Sequence, residues 1–323
     1  MWVVEFREDR NEYAMKEMLK IRIVSKKSVN SVLNEQRLLS VLRHPFIVNM
    51  KFAFQDRDNL YLAMDLMKGG DLRYHINQHE RFTEYQTKFF VACIVSGLEY
   101  LHVNSIIHRD IKPENLVLDV KGYIRITDFG IARILSVDNS KDTSGTPGYM
   151  APEVLNRQRH SIGVDYFALG VILYEFMTGR RPYVGRNRRE VKEHIMSRQV
   201  RLVKSQVPEG WSIECVDFVN KLLQRKPEER LGCNGPLELK SHNWLRDFPW
   251  KALLEKKLES PFKPKDKINY DPRVVNMFKD DIDQTIDFSA IQSLFKRYHY
   301  DWRDCKNKPN ETTLIAKINE ASK

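Results

Sequence analysis

Residues 166–179, YFALGVILYEFMTG, are apolar on nearly every helical face. A surface helix needs only one apolar stripe, whereas a helix apolar all round must be surrounded by other elements. This segment therefore predicts a central helix in a large core. A chain of 323 residues is long enough to build such a core and to form two lobes or domains.

Other segments supply the surroundings. SVNSVLNEQRLLSVLRH has Val29, Val32, Leu33, Leu38, Leu39 and Leu42 at helical spacing. KFFVACIVSGLEYLH carries a broad apolar face of Phe89, Phe90, Cys93, Ile94, Leu98 and Leu101. Thr83 and Gln86 form a capping box ahead of it. SIECVDFVNKLLQR reads as a further helix. EYAMKEM and NLYLAMDL read as strands, with QDRDN a hairpin turn before the second. GYIRITDFG alternates like a strand running into a loop. From about residue 248 the sequence is irregular and Lys/Asp-rich, with Pro261, Pro264 and Pro272, and predicts an extended tail.

Composition narrows the class. Hydrophobic residues are 42% and charged residues 30%, as in soluble globular proteins. No apolar run approaches the roughly 20 residues of a membrane span. Charges at Glu5, Arg7, Glu8, Asp9 and Arg10 leave no signal-peptide pattern, so the expected location is intracellular, most simply cytoplasmic. Cys93, Cys215, Cys233 and Cys305 lie far apart without a C-x-x-C pair, which argues against a disulfide framework or zinc site. The net charge is +10, with arginines dense at 180, 181, 186, 188 and 189. A solvated face explains them better than nucleic-acid binding, because the interleaved aromatics of a stacking platform are absent. No nucleic-acid partner is expected.

The chemistry is concentrated in IIHRDIKPENLVL, ITDFG and GTPGYMAPE, residues 106–118, 126–130 and 145–153. Singly, Asp110 could cap a loop and Asp128 could form a turn before Gly130. Those readings do not explain Lys112, Glu114, Asn115 and the strand LVL at these spacings. In order, the three strings resemble the protein-kinase signature, and the resemblance covers nearly the whole chain. It implies an α+β bilobal fold: a partial β-rich N-lobe over residues 1–67, a helical C-lobe over 68–247 and a C-terminal tail over 248–323.

The resemblance also assigns roles. Phosphoryl transfer needs positioning and charge neutralisation more than covalent chemistry. Asp110 would accept the substrate hydroxyl proton, and Lys112 would lie near the γ-phosphate, a residue that favours serine/threonine substrates. Asn115 and Asp128 would be oxygen ligands for Mg2+ bound with ATP. Lys16 would position phosphates and pair with Glu35. An exposed, weak pair is the alternative for these two. Ala14 and Val117 would contact adenine, and the backbone at Asp65 and Met67 would bond it. His108 and Phe129 would be core side chains. Asp165 would brace the catalytic loop, and Glu153 would pair with Arg230. None of the first fifteen residues is glycine, so MWVV would align with the strand after a glycine-rich phosphate loop. The chain would then lack the first strand and that loop. The reading is an ATP-dependent serine/threonine protein kinase. A pseudokinase, or a truncated interaction module with impaired ATP binding, is the alternative.

Softer features, HPFIVNMKFAFQDRDNLYLAMDLMKGGDL, KPEERLG and SPFKPK, resemble the AGC group, that of the cyclic-AMP-dependent kinase. FKRYHY, Phe295–Tyr300, is similar to that group's hydrophobic motif, which docks aromatics on the N-lobe. A loosely ordered aromatic cluster is an equal alternative. His299 stands at the motif's usual phosphorylated position. Asp71, Glu114 and Glu175 fall where the group places acids that receive substrate arginines, or are ordinary surface acids. Protein substrates with basic residues near the acceptor are expected. Gly148 replaces the usual glutamate of G-T-P-E-Y. Arg109 and Arg133 would organise the activation loop, where Asp142 aligns with the usual phosphothreonine, beside Thr143. The oligomeric state is not indicated.

Overall fold

In the computed structural model, residues 1–135, 139, 141–265 and 288–305 are described. They form two units. The first holds residues 1–68, Asp128–Gly130 and the described tail from 288 onward. The second holds residues 69–127 and 131–265.

The first unit is built on an antiparallel sheet. β1 (Trp2–Glu5), β2 (Glu12–Leu19), β3 (Met50–Gln55), β4 (Asn59–Asp65) and the short strand Tyr300–Asp301 lie in the order β1, β2, β4, β3, tail strand. β3 and β4 close through Asp56, whose side chain accepts from the Asp58 and Asn59 amides at 2.8 and 2.7 Å. The turn residues thus supply the hydrogen bonds that fix the hairpin.

Two helices come after β2. α2 (Val29–Val41) forms where the helical spacing predicts, but it buries Asn34 and Glu35 beside Leu38 and Leu39, while Val29, Val32 and Leu33 stay half-buried. α1 (Lys20–Ser25) was not anticipated. Its KIRIVS sequence is rich in β-branched residues, which favour strands locally. Here the burial of Ile23 and Lys20 overrides that preference. The Lys20 ammonium donates to the Asp56 carbonyl and to Gln292 Oε1, both at 2.7 Å.

The second unit surrounds one helix. α3 (Leu72–His79) and α4 (Glu84–Val103) precede β5 (Ile106–Ile107), β6 (Leu116–Leu118), β7 (Ile124–Ile126) and β8 (Arg133–Ile134). α5 (Pro152–Leu155), α6 (Gly163–Thr178), α7 (Arg188–Ser197), α8 (Ile213–Leu222), α9 (Leu237–Ser241) and α10 (Trp250–Leu254) complete it. β5 pairs with β8, and β6 with β7. α4 starts at the predicted capping box: the Gln86 amide donates to Thr83 Oγ1, and the Thr83 amide to Gln86 Oε1.

α6 is the buried centre. Of its sixteen residues only Tyr174 and Thr178 are not buried. It packs on α4 and α8, and a Cβ at Gly170 would lie 2.8 Å from Leu222 Cβ. The missing side chain is what lets the two helices approach. Arg230 and Glu153 form the expected pair, with two hydrogen bonds of 2.6 and 3.0 Å and almost no exposure of either side chain.

The stretch after residue 248 departs from a purely extended tail, because Trp250–Leu254 is helical. Phe262 of SPFKPK then packs against Phe82, Phe90, His75 and His79. Cys93, Cys215 and Cys233 are free thiols. No helix among the described residues is long and apolar enough to cross a membrane.

Candidate active site

In the first unit the Lys16 ammonium donates to both Glu35 oxygens, at 3.1 and 2.8 Å. β2 supplies the lysine and α2 the acid. Glu35 is nearly buried, at 6% side-chain exposure, while Lys16 keeps 34%, so the pair is not the exposed surface alternative. Burial works against the Lys16 charge. The Glu35 charge and hydrogen bond, helped by Asp128, still hold its pKa above the ordinary 10.5.

Asp128 is exposed and adopts a positive φ of 65°, an unusual conformation for a non-glycine residue. α2 holds the next two residues in place. Asn34 Nδ2 donates to the Phe129 carbonyl at 3.0 Å, and Ser31 Oγ to the Gly130 carbonyl at 2.9 Å. A Cβ at Gly130 would meet Ser31 Oγ at 2.7 Å, so this close approach needs glycine. One Asp128 oxygen faces the Gly130 amide at 3.3 Å. Ala14 lies on β2 beside Lys16, half-buried. Asp65, at the end of β4, accepts from the Asn49 amide and side chain, both at 3.0 Å. Met67 is half-buried just beyond the strand.

In the second unit a polar cluster centres on Asp110. Lys112 Nζ donates to Asp110 Oδ2 at 2.6 Å, and Thr146 Oγ1 donates to Asp110 Oδ1 at 2.6 Å. Lys112 also donates to Thr146 Oγ1 at 2.8 Å, closing a triangle. Asn115 Nδ2 bonds the Asp110 carbonyl at 2.9 Å and Oδ2 at 3.1 Å. Burial pushes the Asp110 pKa up, but the Lys112 and Thr146 hydrogen bonds outweigh it and hold the carboxyl below its ordinary 3.8. Asp110 is therefore an ionised, oriented acceptor. Thr146 was missed by sequence reasoning, and its one signal was its place in the GTP string. Val117 lies on β6 and is half-buried.

The loop carrying Asp110 is anchored from α6. Asp165 accepts from the His108 amide at 3.0 Å, the Arg109 amide at 2.8 Å and His102 Nε2 at 2.8 Å. Burial raises its pKa, yet these bonds and the neighbouring histidines keep it below the usual carboxylate value. His108 is fully buried, with Nε2 at 3.1 Å from the Thr127 carbonyl. Arg109 has a positive φ of 69°. Its guanidinium donates to the Ile131 carbonyl and pairs with Asp142 Oδ2 at 2.9 Å. Arg133 donates to the Ala132 carbonyl at 2.9 Å. Thr143 is exposed.

The three expected substrate acids are all engaged within this unit. Asp71 caps α3 by accepting from the Tyr74 amide at 2.9 Å. Glu114 and Glu175 both hold Arg73, at 2.9 Å and 2.7 Å.

Hard oxygen donors suit magnesium, which usually keeps waters and substrate phosphates in its shell. Asn115 spends its amide nitrogen on Asp110, which leaves its carbonyl oxygen for a cation. Asp128 keeps a carboxylate oxygen beyond the Gly130 contact. No group of three His, Cys, Asp or Glu among the described residues forms a dedicated metal cage. Each of the two side chains, taken in its own unit, thus keeps one hard oxygen open.

The protein kinase domain family matches residues 3–245. Among curated relatives, Protein kinase 2 of Dictyostelium discoideum is 40% identical over 260 residues, 80% of this chain and 53% of the relative. RAC-beta serine/threonine-protein kinase of Rattus norvegicus is 40% identical over 257 residues, 78% of this chain and 52% of the relative. Serine/threonine-protein kinase gad8 of Schizosaccharomyces pombe is 38% identical over 263 residues, 81% of this chain and 45% of the relative. The chain thus spans about half the length of the curated relatives it matches. With the Asp110 cluster and the Lys16–Glu35 pair in place, this match over three quarters of the sequence means that the chain belongs to the protein kinase family, in its serine/threonine AGC branch.

Proposed function

We propose that this chain transfers the γ-phosphoryl group of ATP to serine or threonine hydroxyls of protein substrates. The observation that carries the reading is the Asp110 cluster. An ionised carboxylate is held by Lys112, Thr146 and Asn115, which is the arrangement a general base for a hydroxyl needs.

Each residue has a task in this reading. Asp110 receives the proton of the attacking hydroxyl. Lys112 neutralises charge beside it and, with Thr146, stops the carboxylate from rotating. Lys16, held by Glu35, positions nucleotide phosphate. Asn115 and Asp128 present oxygens to magnesium. Ala14 and Val117 contact the adenine ring, and the backbone of Asp65 and Met67 bonds its edge. ATP with magnesium supplies the phosphoryl group and screens its charge. Asp142 pairs with Arg109 as a phosphate would, so the loop is held without phosphorylation, and Arg133 and Thr143 flank that contact. In this reading residues 1–67 serve as a partial N-lobe, 68–247 as the C-lobe and 248–323 as the C-terminal tail. A preference for basic residues beside the acceptor is the finest part of the proposal, supported by Asp71, a half-buried carboxylate at the start of α3.

The test is phosphate transfer from ATP to a mixed library of serine, threonine and tyrosine peptides, compared with Asp110→Asn. Loss of a general base predicts a drop of about 10²–10⁴-fold, with serine and threonine as the labelled residues. Equal transfer by the intact protein and Asp110→Asn defeats the reading.

A further inference from the structure

We propose that Arg73 is a specificity-determining residue: it fills, from within the chain, the carboxylate site where a substrate arginine would bind, and so sets the protein against arginine at that substrate position. The inference rests on the kinase reading above and deepens it.

Arg73 is the second residue of α3. Its Nη1 donates to Glu175 Oε1 at 2.7 Å and its Nη2 to Glu175 Oε2 at 3.1 Å. This is the two-pronged geometry by which guanidinium recognises carboxylate. Nε donates to Glu114 Oε1 at 2.9 Å, so one side chain bridges both acids. Nη2 also reaches the Tyr149 hydroxyl, which donates to Glu175 Oε2 at 2.9 Å. Glu175 is only 6% exposed, and its two oxygens already accept three hydrogen bonds. An incoming arginine could use them only by displacing Arg73.

A second feature points the same way. Gly148, where the resembled group has glutamate, has φ of 95°. A Cβ there would lie 2.9 Å from Arg181 Nη1. Arg181 also lies over the Tyr149 ring, 5.9 Å from its centre. An acid is thus absent and a guanidinium stands in its place. Arg73 already satisfies the charge of Glu175 and bridges Glu114, so little net attraction is left for a further cation. Burial opposes the Arg73 charge, but Glu175 and the neighbouring Tyr149 and Glu114 hold its pKa above the ordinary value, so it stays charged throughout. The substrate residue that fits here is uncharged or acidic.

The experiment is calorimetric binding of serine peptides to the full chain. Each pair of peptides differs only in carrying arginine or its neutral isostere citrulline at one position before the acceptor. Arg73→Ala, which opens the site, should raise the arginine-to-citrulline affinity ratio at one position by about 10- to 100-fold over the unaltered protein, the gain from charged hydrogen bonds. Arg73→Met keeps the apolar stem and serves if the alanine variant does not fold. No rise in ratio in a folded variant overturns the proposal. A measurement on the unaltered protein stands beside it. The Arg73 Nε–H proton, followed by nitrogen-resolved NMR, should exchange slowly with and without the arginine peptide. Loss of that protection on peptide binding means that Arg73 is displaced, and overturns the proposal. Phosphate transfer to the same peptides separates the two readings, since a binding pattern as expected without transfer defeats only the kinase reading.

Discussion

Asp110 carries three different hydrogen-bond donors within 3.1 Å, and two of them set its charge. Thr146 and Lys112 both favour the ionised form. The folded-state pKa is depressed, so the stability this group contributes is present above its ordinary 3.8 and is lost as pH falls through the lower folded value. Thr146→Val removes one donor. The carboxyl then protonates at higher pH, and the acid limb of the pH–rate profile should move upward, with acid unfolding beginning earlier. An unmoved limb in single-turnover measurements would show that Thr146 does not act on Asp110. A second prediction concerns Asp142, whose carboxylate meets the buried Arg109 at 2.9 Å. Asp142→Ala removes the carboxylate that meets that guanidinium at 2.9 Å, and turnover of protein shown by mass spectrometry to be unphosphorylated should fall about tenfold, roughly the 1.5 kcal/mol of one charged hydrogen bond. Unchanged turnover removes the idea that a native acid stands in for phosphate.

At the scale of elements, one buried ion pair ties α5 to the segment after α8. Glu153 and Arg230 are both almost fully enclosed, and Arg230 also donates to the Gly163 carbonyl at 2.9 Å, at the start of α6. Removing one partner leaves a buried charge alone, at a cost of about 3–5 kcal/mol. Glu153→Ala should therefore lower the denaturation midpoint strongly, whereas replacing both residues by apolar ones of similar volume should recover much of the loss. Equal damage from the single and double changes would mean that packing, not charge, governs the site. The pair was legible in the sequence from APE and KPEERLG. The packing that brings the segment after α8 onto α5 was not. Similarly, Lys16 and Glu35 could be matched on paper, but their unequal burial depends on how α2 lies on the sheet.

At the scale of the molecule, the tail completes the first unit. Phe295 and Tyr298 are buried, Tyr300 pairs with Ala53 and Asp301 with Phe52, and Gln36 Nε2 donates to the His299 carbonyl at 3.2 Å. The FKRYHY string left docking and loose order equally open, because aromatic content does not reveal which surface will cover it. Phe295→Ala should cost about 3 kcal/mol locally. Amide exchange at Phe52 and Ala53 should quicken while α8 stays protected. Unchanged exchange at those two amides would show that the tail strand does not depend on its aromatic anchor.

The sequence by itself determined what depends on local pattern and on residue chemistry. Segment 166–179, apolar on nearly every face, read as a surrounded helix, Thr83 and Gln86 as the cap of α4, and HRDIKPEN, DFG and APE named the family and its charged groups. Tertiary structure alone decided what depends on which side chains meet. It made KIRIVS a helix against its own preference, brought Thr146 onto Asp110 from 36 positions away, and turned Glu114 and Glu175 from open acids into the holders of Arg73. Local pattern fixes the identity and face of each residue. The occupant of a charged site is set by packing among distant segments, where an internal partner that folding has already ordered competes with any ligand that must still be bound.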